Sequence, residues 1–348
     1  MKHLPPMPKP RPWWRRTDFF LVMLSVVVAL LALRLFGGGC PAVSELAVAP
    51  YAEAHPQAAL PTLTHRQVAE MPESGPPVRF LMLNAENYFV AGEKQRSRHT
   101  NRPKPERECE AVAEVIASAK PAIVGLAEIG GPLALEDLKR RLRDRGLDYP
   151  HSRVLTRGGE DRALALLSMH PVVQDESRAD YGLFGVQKRR MLRGILDVTV
   201  RTEDGRMFRV LGVHLKSRVG DDAAAAESLR NREAQTLARY IQQEMKEQPV
   251  LPLLVFGDWN DNPQDASVRL MVQGMSTECA LRRMSPKDSR GEEWTLYYKR
   301  GNTYNTFDHL FINKPMSKRL KRGDASGIVD IPVARQASDH RAVWCDLR

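Results

Sequence analysis

The sequence has few cysteines and lacks several short motifs that mark common enzyme classes. Its 348 residues contain four cysteines, without the paired spacing of a metal site and too few for a disulfide-built scaffold. No glycine-rich phosphate loop of the ATPase type, no Gly-x-Ser-x-Gly nucleophile signature and no internal repeat occur. These absences disfavour a cysteine-built scaffold and a covalent serine mechanism, and they leave the cellular compartment open.

The composition is that of a folded protein with a basic surface. Hydrophobic residues make up 43% and charged residues 27% of the chain, which excludes wholesale disorder and allows one large domain or two ordinary ones. The net charge is +10, and +8 of it belongs to residues 78–348, which hold 45 Lys and Arg against 37 Asp and Glu. A basic surface indicates anionic partners such as nucleic acid, phosphorylated substrates or anionic lipid.

The amino-terminal region has the pattern of a membrane anchor. An uncharged apolar run, Phe19–Leu33, follows five Lys and Arg residues and extends to Phe36 if Arg34 snorkels. We therefore expect a basic cytoplasmic segment (1–18), a transmembrane anchor (19–36), an Ala/Pro-rich linker (37–77) and a globular domain outside the cytoplasm (78–348). A cleaved signal peptide, giving a secreted protein, is the main alternative. A lipoprotein with its lipid at Cys40 is a third, less favoured one.

The globular part alternates apolar strands with amphipathic helices, which predicts an α/β domain with a mixed sheet. The predicted strands are Val78–Leu83, Ala122–Ala127, Ala163–Ser168, Leu192–Arg201, Met207–His214, Val250–Gly257, Phe307–Ile312 and Ala342–Leu347. The predicted helices are Glu106–Ala119, Leu135–Arg145 and Ala223–Lys246.

Polar side chains recur where these strands begin or end. The set is Asn84, Glu128, His214, Asp258, Asn260, Asp339 and His340. Each alone fits a helix cap, a turn or a buried structural residue. Together they favour a site at the rim of the sheet. Carboxylate and amide oxygens suit Mg²⁺ or Mn²⁺, and histidine beside aspartate can move protons near neutral pH. This chemistry suits hydrolysis of a phosphoester.

The order of these motifs resembles that of the endonuclease/exonuclease/phosphatase superfamily. The resemblance rests on Asn84, Glu128, His214-Leu215-Lys216-Ser217, Gly257-Asp258-Trp259-Asn260, Phe307-Asp308-His309 and Ser338-Asp339-His340, and it covers almost all of residues 78–348. It implies a four-layer sandwich of two packed mixed β-sheets flanked by helices. Members of this superfamily include deoxyribonucleases, abasic-site endonucleases, inositol-polyphosphate phosphatases and neutral sphingomyelinases.

The resemblance also implies roles for individual residues. Glu128 resembles the principal metal ligand, with Asn84 and Asp339 assisting directly or through water, and the metal is Mg²⁺ or Mn²⁺. Asp258 and Asn260 resemble the pair that positions the attacking water and the phosphate.

Three further residues match the histidine elements of the superfamily. His340 resembles the histidine that contacts the scissile phosphate, oriented by Asp308. His214 resembles the second histidine of the deoxyribonuclease and sphingomyelinase branches, which makes the abasic-site branch less fitting. Either Asp258 or His340 serves as the base.

Several basic residues are candidates for contact with the substrate. Arg193 and Lys216 are candidates for phosphate contacts, although solvated charges explain them equally well. We expect the basic segment Gly92–Arg107, which follows Asn84, to lie near the site. This segment and a second one, Lys314–Arg322, which precedes Asp339, are both candidates for tracking a nucleic-acid backbone. Solvated surface or contact with anionic lipid would explain both as well.

The sequence thus predicts a membrane-anchored, metal-dependent phosphodiesterase, with a nuclease as the favoured activity. A phospholipid, sphingomyelin or inositol-phosphate hydrolase is the first alternative. A catalytically silent, membrane-tethered binding module is the second, and the intact set of acids and histidines argues against it.

Overall fold

The computed structural model describes residue 64 and residues 67–68, 70–93, 102–157, 160–220, 222–320 and 325–348. The predicted basic segment (1–18) and anchor (19–36) lie outside the described residues and stay predictions. Of the predicted linker (37–77), residues 64, 67–68 and 70–77 are described. Within the part of the chain that is described, no helix combines the length and apolarity that crossing a membrane requires.

The domain is built from fourteen strands and six helices among the described residues. The strands are β1 (Val78–Tyr88), β2 (Ile123–Ile129), β3 (His151–Leu155), β4 (Ala163–Ser168), β5 (Val172–Asp175), β6 (Leu196–Arg201), β7 (Met207–His214), β8 (Leu253–Asp258), β9 (Arg282–Arg283), β10 (Leu296–Tyr298), β11 (Thr303–Asn305), β12 (Asp308–Ile312), β13 (Ser326–Ile328) and β14 (Val343–Leu347). The helices are α1 (Glu106–Ala119), α2 (Pro132–Arg143), α3 (Ala223–Glu247), α4 (Ala266–Gln273), α5 (Lys314–Arg319) and α6 (Ala334–Ala337).

Two six-stranded sheets form the centre of the domain. The first has the strand order β13-β14-β1-β2-β4-β3 and the second β5-β6-β7-β8-β12-β9, while β10 and β11 form a separate hairpin. In each sheet one central pair is parallel, β1 with β2 and β7 with β8, and the other pairs are antiparallel. Both sheets are therefore mixed, as the sequence predicts.

The sheets pack face to face, and helices cover their outer faces. Phe80, Leu166, Phe256 and Leu310 belong to the apolar layer between the sheets. Helices α1 and α2 share a second apolar cluster with the first sheet, and α3 and α4 share a third with the other sheet. The predicted sandwich of two mixed sheets flanked by helices is confirmed.

The packed part of the chain begins before Val78. Val68 and Met71, within the predicted linker, are buried against Met207 and Leu251. The Arg206 guanidinium also donates to the carbonyl oxygen of Pro76 at 2.8 Å. The end of the predicted linker is thus packed against the sandwich, because it carries apolar side chains that the sandwich can bury.

Candidate active site

Both central pairs of parallel strands end on the same side of the sandwich. Asn84 of β1 lies opposite Ala127 of β2, and His214 of β7 lies opposite Asp258 of β8. The antiparallel strand β12 begins there too, because Asp308 pairs with Asp258. Polar side chains at the carboxyl ends of parallel strands commonly form ligand sites in α/β folds. The fold therefore gathers residues that are far apart in the sequence.

The carboxylate of Asp258 lies at the centre of this group. Its Oδ2 accepts a hydrogen bond from Asn84 Nδ2 at 2.9 Å. Nε2 of His214 lies 3.5 Å from the same oxygen, and Nε2 of His340 lies 3.8 Å from it. All four side chains are buried. Three predicted site residues from three different strands or loops thus surround one carboxylate oxygen.

His340 is held by a buried carboxylate and by backbone contacts. Its Nδ1 lies 2.8 Å from Oδ2 of Asp308, which is the orienting contact that the resemblance implies. The hydroxyl of Ser338 accepts from the backbone N–H of His340 and donates to the carbonyl oxygen of Asn84. The imidazole is therefore fixed with Nε2 toward Asp258, ready to exchange a proton with a group in the cavity.

A second group of carboxylates lies beside Asp258. Glu128 and Asp339 were predicted, whereas Glu86 was not. Oε2 of Glu86 accepts from the backbone N–H of Asp339 at 2.9 Å, and Oε2 of Glu128 accepts from the N–H of Asn87 at 3.0 Å. Oε1 of Glu128 lies 3.8 Å from His214 Nε2. Three acidic side chains and the Asn84 amide thus supply hard oxygen ligands in one place.

Four non-glycine residues of this site have left-handed backbone conformations. Their φ angles are 45° at Glu86, 53° at Asn87, 61° at Glu128 and 51° at Asn260. Such conformations are costly outside glycine and cluster at functional sites, where the surrounding fold enforces them. They turn the ends of β1 and β2 and the start of the loop after β8.

Asn260 connects Asp258 to the loop that follows β7. Its backbone N–H donates to Asp258 Oδ1 at 2.9 Å, and its Nδ2 donates to the carbonyl oxygen of Leu215 at 3.1 Å. The ammonium of Lys216 donates to the carbonyl oxygens of Ser217 and Val219 in the same loop. These contacts use two of the three N–H donors of the ammonium group, which leaves one for the predicted phosphate contact.

The site opens into a cavity of about 1000 Å³ that carries both charge signs. Carboxylates of Glu86, Glu128 and Asp339 line it together with His214 and His340. Arg162, Arg193, Lys216 and Arg218 also line it. Arg162 and Arg218 were not predicted. A phosphate group entering the cavity would meet acids that can hold a cation and guanidinium groups that can neutralise its oxygens.

The two histidines have opposite pKa shifts. Burial lowers the pKa of His214 well below its ordinary value, and the cations Arg193 and His340 lower it further. Burial also acts to lower the pKa of His340, but the Asp308 and Asp258 carboxylates outweigh it, so the pKa is raised well above its ordinary value. His214 is therefore neutral at pH 7 and His340 is protonated.

Two of the carboxyl groups share an upward pKa shift. Burial raises the pKa of Glu86, and the Asp339 carboxylate raises it further. Burial likewise raises the pKa of Asp339, with a smaller contribution from Glu128. These carboxylates repel each other, and the nearby cations Lys104 and His340 offset the upward pKa shifts of Glu86 and Asp339 only in part. A divalent cation would relieve that repulsion, so the donor set Asn84, Glu86, Glu128 and Asp339 fits Mg²⁺ or Mn²⁺.

A second group of ligand atoms is more compact but fits a cation less well. Atoms of Asp258, Asp308 and His340 lie within 4.8 Å of one another. However, His340 Nδ1 is bonded to Asp308, and its Nε2 faces Asp258, so both ring nitrogens already face carboxylates. We therefore interpret these three residues as a proton-transfer group.

The described part of the second basic segment, residues 314–320, lies away from the site. It contains α5, which follows the far end of β12, where Ile312 pairs with Leu254. Asp308, at the site, is four residues away along the extended strand, or roughly 13 Å. The Arg319 guanidinium instead donates to the carbonyl oxygen of Pro72.

The first basic segment, Gly92–Arg107, is described only in part. Residues 94–101 lie outside the described residues. The ammonium of Lys104 donates to the carbonyl oxygen of Glu86 at 3.0 Å, and Lys104 is buried. This end of the segment contacts the site, as predicted, but as a support for Glu86.

Some functional positions had no usable sequence signal, and others had one that was missed. Glu86 follows Asn84 by two residues, and an acid just past a strand-end amide is a signal of the kind already used for Glu128. Arg162 precedes β4 and lies 3.4 Å from Glu128. Glu233 is buried in α3, where a glutamate on an amphipathic helix gives no such indication.

Comparison with known proteins relates this geometry to one family. A family model described as Endonuclease/Exonuclease/phosphatase family matches residues 82–331. No curated protein sequence matches.

Several solved structures share the fold. The human nocturnin catalytic domain with bound sulfate is 17% identical, with 78% of this chain and 94% of that chain covered and a TM-score of 0.54. Sphingomyelinase C from Streptomyces griseocarneus is 17% identical, covering 79% and 100%, with a TM-score of 0.52. D. rerio TDP2 complexed with a single-strand DNA product is 14% identical, covering 79% and 100%, with a TM-score of 0.53. At such identities the likeness concerns the fold.

Proposed function

The chain belongs to the endonuclease/exonuclease/phosphatase family, whose members hydrolyse phosphoester bonds, and on that premise we propose that it is a divalent-metal-dependent phosphodiesterase that cleaves polynucleotides. One observation supports the chemistry most directly. Asn84, His214 and His340 surround the buried Asp258 carboxylate at the floor of a cavity lined by further acids and by arginines. Keeping so many polar groups buried together is costly for a binding module that performs no reaction.

The proposed reaction is in-line attack of water on phosphorus, which breaks the P–O bond opposite the incoming water and releases an alcohol whose oxygen takes a proton from solvent. Asp258 accepts the proton of the attacking water, because its carboxylate faces the cavity and is held in place by Asn84. Asn260, whose N–H bonds to Asp258, fixes the orientation of that carboxylate. His340 donates a hydrogen bond to a phosphoryl oxygen, and Asp308 holds the imidazole in position for this contact.

The remaining site residues would bind the metal ion or supply charge to the cavity. Asn84, Glu86, Glu128 and Asp339 would hold Mg²⁺ or Mn²⁺, which supplies electrostatic stabilisation of the phosphoryl oxygens as charge develops on them. Arg162 and Arg193 also line the cavity and supply positive charge there, with Arg162 beside Glu128. His214 remains neutral, so it contributes a hydrogen bond without adding to the positive charge.

The choice of a polynucleotide as substrate rests on charge. The excess of +8 lies in residues 78–348, and arginines reach into the cavity. TDP2, which shares the fold, has been solved with a single-strand DNA product. Phosphate contacts dominate nucleic-acid binding, and arginine is well suited to them.

A second candidate is a hydrolase of phospholipid or sphingomyelin headgroups. Two side chains at the cavity favour it, because Val219 is 71% exposed and Tyr298 is 43% exposed. Exposed apolar groups at the mouth of a site suit contact with a lipid surface. A sphingomyelinase C also shares the fold.

A substrate panel tests the proposal. The full chain is incubated with Mg²⁺ or Mn²⁺ and, separately, with chelator, on duplex DNA, single-stranded RNA, sphingomyelin vesicles, inositol phosphates and bis(p-nitrophenyl) phosphate. We expect chelator-sensitive cleavage of a polynucleotide and of the small diester. Cleavage of sphingomyelin alone would select the second candidate. No hydrolysis of any substrate would favour a silent binding module and would contradict the proposal.

A further inference from the structure

We propose that residues 176–193, called here the basic arm, form a second phosphate-binding surface that holds a polynucleotide backbone away from the bond being cleaved. This inference rests on the proposed function for its biological meaning, but it concerns different residues and a different property. The arm joins β5 to β6 and ends at Arg193, which lines the active-site cavity.

The arm has a defined conformation. Arg178 forms an antiparallel bridge with Ile195, and Gly182 forms one with Arg190. The backbone N–H of Leu183 donates to the carbonyl oxygen of Arg189 at 2.9 Å. These bonds make the arm a short hairpin-like ribbon, so its side chains have fixed positions before any ligand binds.

The arm lies along helix α3. At its base, the N–H of Leu192 donates to Glu233 Oε1 at 2.8 Å. Near its tip, the N–H of Phe184 donates to the Thr236 hydroxyl at 2.9 Å, and the Arg239 guanidinium lies 3.3 Å from the Phe184 ring centroid. Glu233 and Thr236 are three residues apart, or about 4.5 Å along the helix, and Arg239 lies about one turn further. The arm therefore runs along α3 from the cavity-lining Arg193 to its tip.

The arm carries a net charge of +3 on an exposed strip. Its cations are Arg178, Lys188, Arg189, Arg190 and Arg193, and its acids are Glu176 and Asp180. Glu176 pairs with Arg178, and the guanidinium of Arg190 donates to a backbone carbonyl oxygen. Lys188 and Arg189 are exposed, and no ion pair within the described part of the chain occupies them. Two cations are thus available at the tip for an external anion.

The cations of the arm are placed for contact with a nucleic-acid backbone. Arg189 and Arg193 are four residues apart, a separation of at most roughly 13 Å in an extended chain, and a polynucleotide strand spans such a distance with more than one phosphate. Arg193 at the cavity and Lys188 with Arg189 at the tip would therefore contact one strand at two points. Arg157 lies beside this path, because its Nη1 donates to the carbonyl oxygen of Leu192.

The chemistry of the tip favours nucleic acid over a membrane surface. Its exposed residues include Gln187, Lys188 and Arg189, which cannot insert among lipid tails. The aromatic ring of Phe184 is 44% exposed, but it packs against the Arg239 guanidinium. A narrow strip of positive charge that continues into a phosphate-cleaving cavity suits a linear polyanion.

A paired charge removal tests this inference. The test variant is Lys188→Gln/Arg189→Gln, and the matched control is Lys314→Gln/Lys318→Gln, which removes two exposed cations from the opposite end of the sandwich. Binding of a fluorescent 20-base-pair DNA duplex to the full chain is measured by anisotropy in chelator, where no cleavage occurs. The melting temperature of each variant is compared with that of the parent.

The arm variant should bind the duplex roughly tenfold more weakly at low salt, and its salt slope should flatten by about two, one for each lost phosphate contact. The control should stay within about twofold of the parent, because charges beyond a Debye length are screened. Equal effects in both variants, or no effect in the arm variant, would overturn the inference. The inference would also be overturned if the arm variant bound phosphatidylserine vesicles more weakly than the parent but bound the DNA duplex equally well. If the parent cleaves no polynucleotide but the arm effect on binding remains, the proposed function fails and the inference stands.

Discussion

At the scale of single residues, the site separates two tasks between two groups of side chains. Asp258, Asp308 and His340 form a buried group suited to proton transfer. Glu86, Glu128 and Asp339 form a neighbouring group suited to a cation. The separation follows from the fold, because the first group lies mainly on the second sheet and the other group mainly on the first.

The cation group gives the first prediction. Glu128→Gln keeps an oxygen that can accept from the N–H of Asn87, so the fold should be retained. It removes a charged ligand, and we expect kcat/KM on duplex DNA to fall by about two orders of magnitude. Glu227→Gln, an exposed change on α3, is the control and should leave activity unchanged. Parent-like activity of Glu128→Gln at limiting Mg²⁺ would show that Glu128 holds no cation.

His309 gives a prediction for stability against pH. Burial lowers its pKa to about 4, although its Nε2 contact with the Asp261 carbonyl oxygen opposes this. In the unfolded chain its pKa is about 6.5, so the unfolded state binds the proton first as the pH falls. Stability is therefore full above about pH 6.5 and is lost as the pH falls toward 4.

The measurement is urea unfolding of the parent and of His309→Gln at pH 7.5 and pH 5. The parent should lose about 2 kcal/mol more than the variant over that interval. Equal losses in the two proteins would show that His309 titrates normally in the folded state.

The sequence was enough to identify polar residues that stand at the end of an apolar strand. Asn84, His214 and Asp258 each close an apolar strand, so a pattern of hydrophobicity is enough to find them. Glu86 was missed although it follows the strand-end amide of Asn84 by two residues, and the left-handed φ that turns the chain at Glu86 is not indicated by the sequence. Lys216 was placed correctly, but the direction of a flexible side chain depends on carbonyl groups that only the fold brings near.

At the scale of elements, α3 positions two segments of the active site at once. Its buried residue Glu233 accepts from the N–H of Leu192 at 2.8 Å and from the N–H of Lys216 at 2.7 Å. Those segments carry Arg193 and Lys216, which line the cavity. Glu233 is therefore a positioning residue that touches no substrate itself.

Glu233→Gln tests this role. A glutamine carboxamide has one acceptor oxygen, so one of the two N–H groups loses its partner. We expect kcat/KM on duplex DNA to fall roughly tenfold, mainly through KM, because phosphate-binding side chains shift while Asp258 does not. Glu227→Gln on the same helix is the control. A fall in kcat with constant KM would contradict the positioning role.

The sequence predicted where strands and helices begin and end better than it predicted which segments lie close together in space. The predicted strand Val250–Gly257 corresponds to β8, and the predicted helix Glu106–Ala119 corresponds to α1 without change. Lys314–Arg322 precedes Asp339 in the chain, but β12 carries the chain to the far end of the sheet, so the described residues 314–320 lie away from the site. Order along a chain does not give distance when an antiparallel strand intervenes.

At the scale of the whole molecule, the site depends on how closely the two sheets pack. Phe256 projects between them, and glycines make room for its ring. A Cβ added at Gly212 would lie 2.5 Å from the Phe256 ring, and one added at Gly125 would lie 2.4 Å from it. Since Phe256 is two residues before Asp258, this packing fixes the strand that carries the central carboxylate.

Gly212→Ala should therefore lower the free energy of unfolding by about 1–3 kcal/mol, the usual cost of overpacking a core. Gly182→Ala is the control, because a Cβ there meets no atom within 4 Å, and it should change stability by less than about 0.5 kcal/mol. Chemical denaturation of both variants measures the difference. Equal stability of the two variants would show that the sheets can separate around Phe256 without cost.

The central claim is that Asp258 is the focus of a phosphodiesterase site, and Asp258→Asn tests it most directly. Asparagine has nearly the same shape, so the melting temperature should stay within a few degrees of the parent. With saturating Mg²⁺, kcat/KM on duplex DNA should fall by about three orders of magnitude or more, since the proton acceptor is lost. A folded Asp258→Asn variant that retains activity within tenfold of the parent would contradict the account.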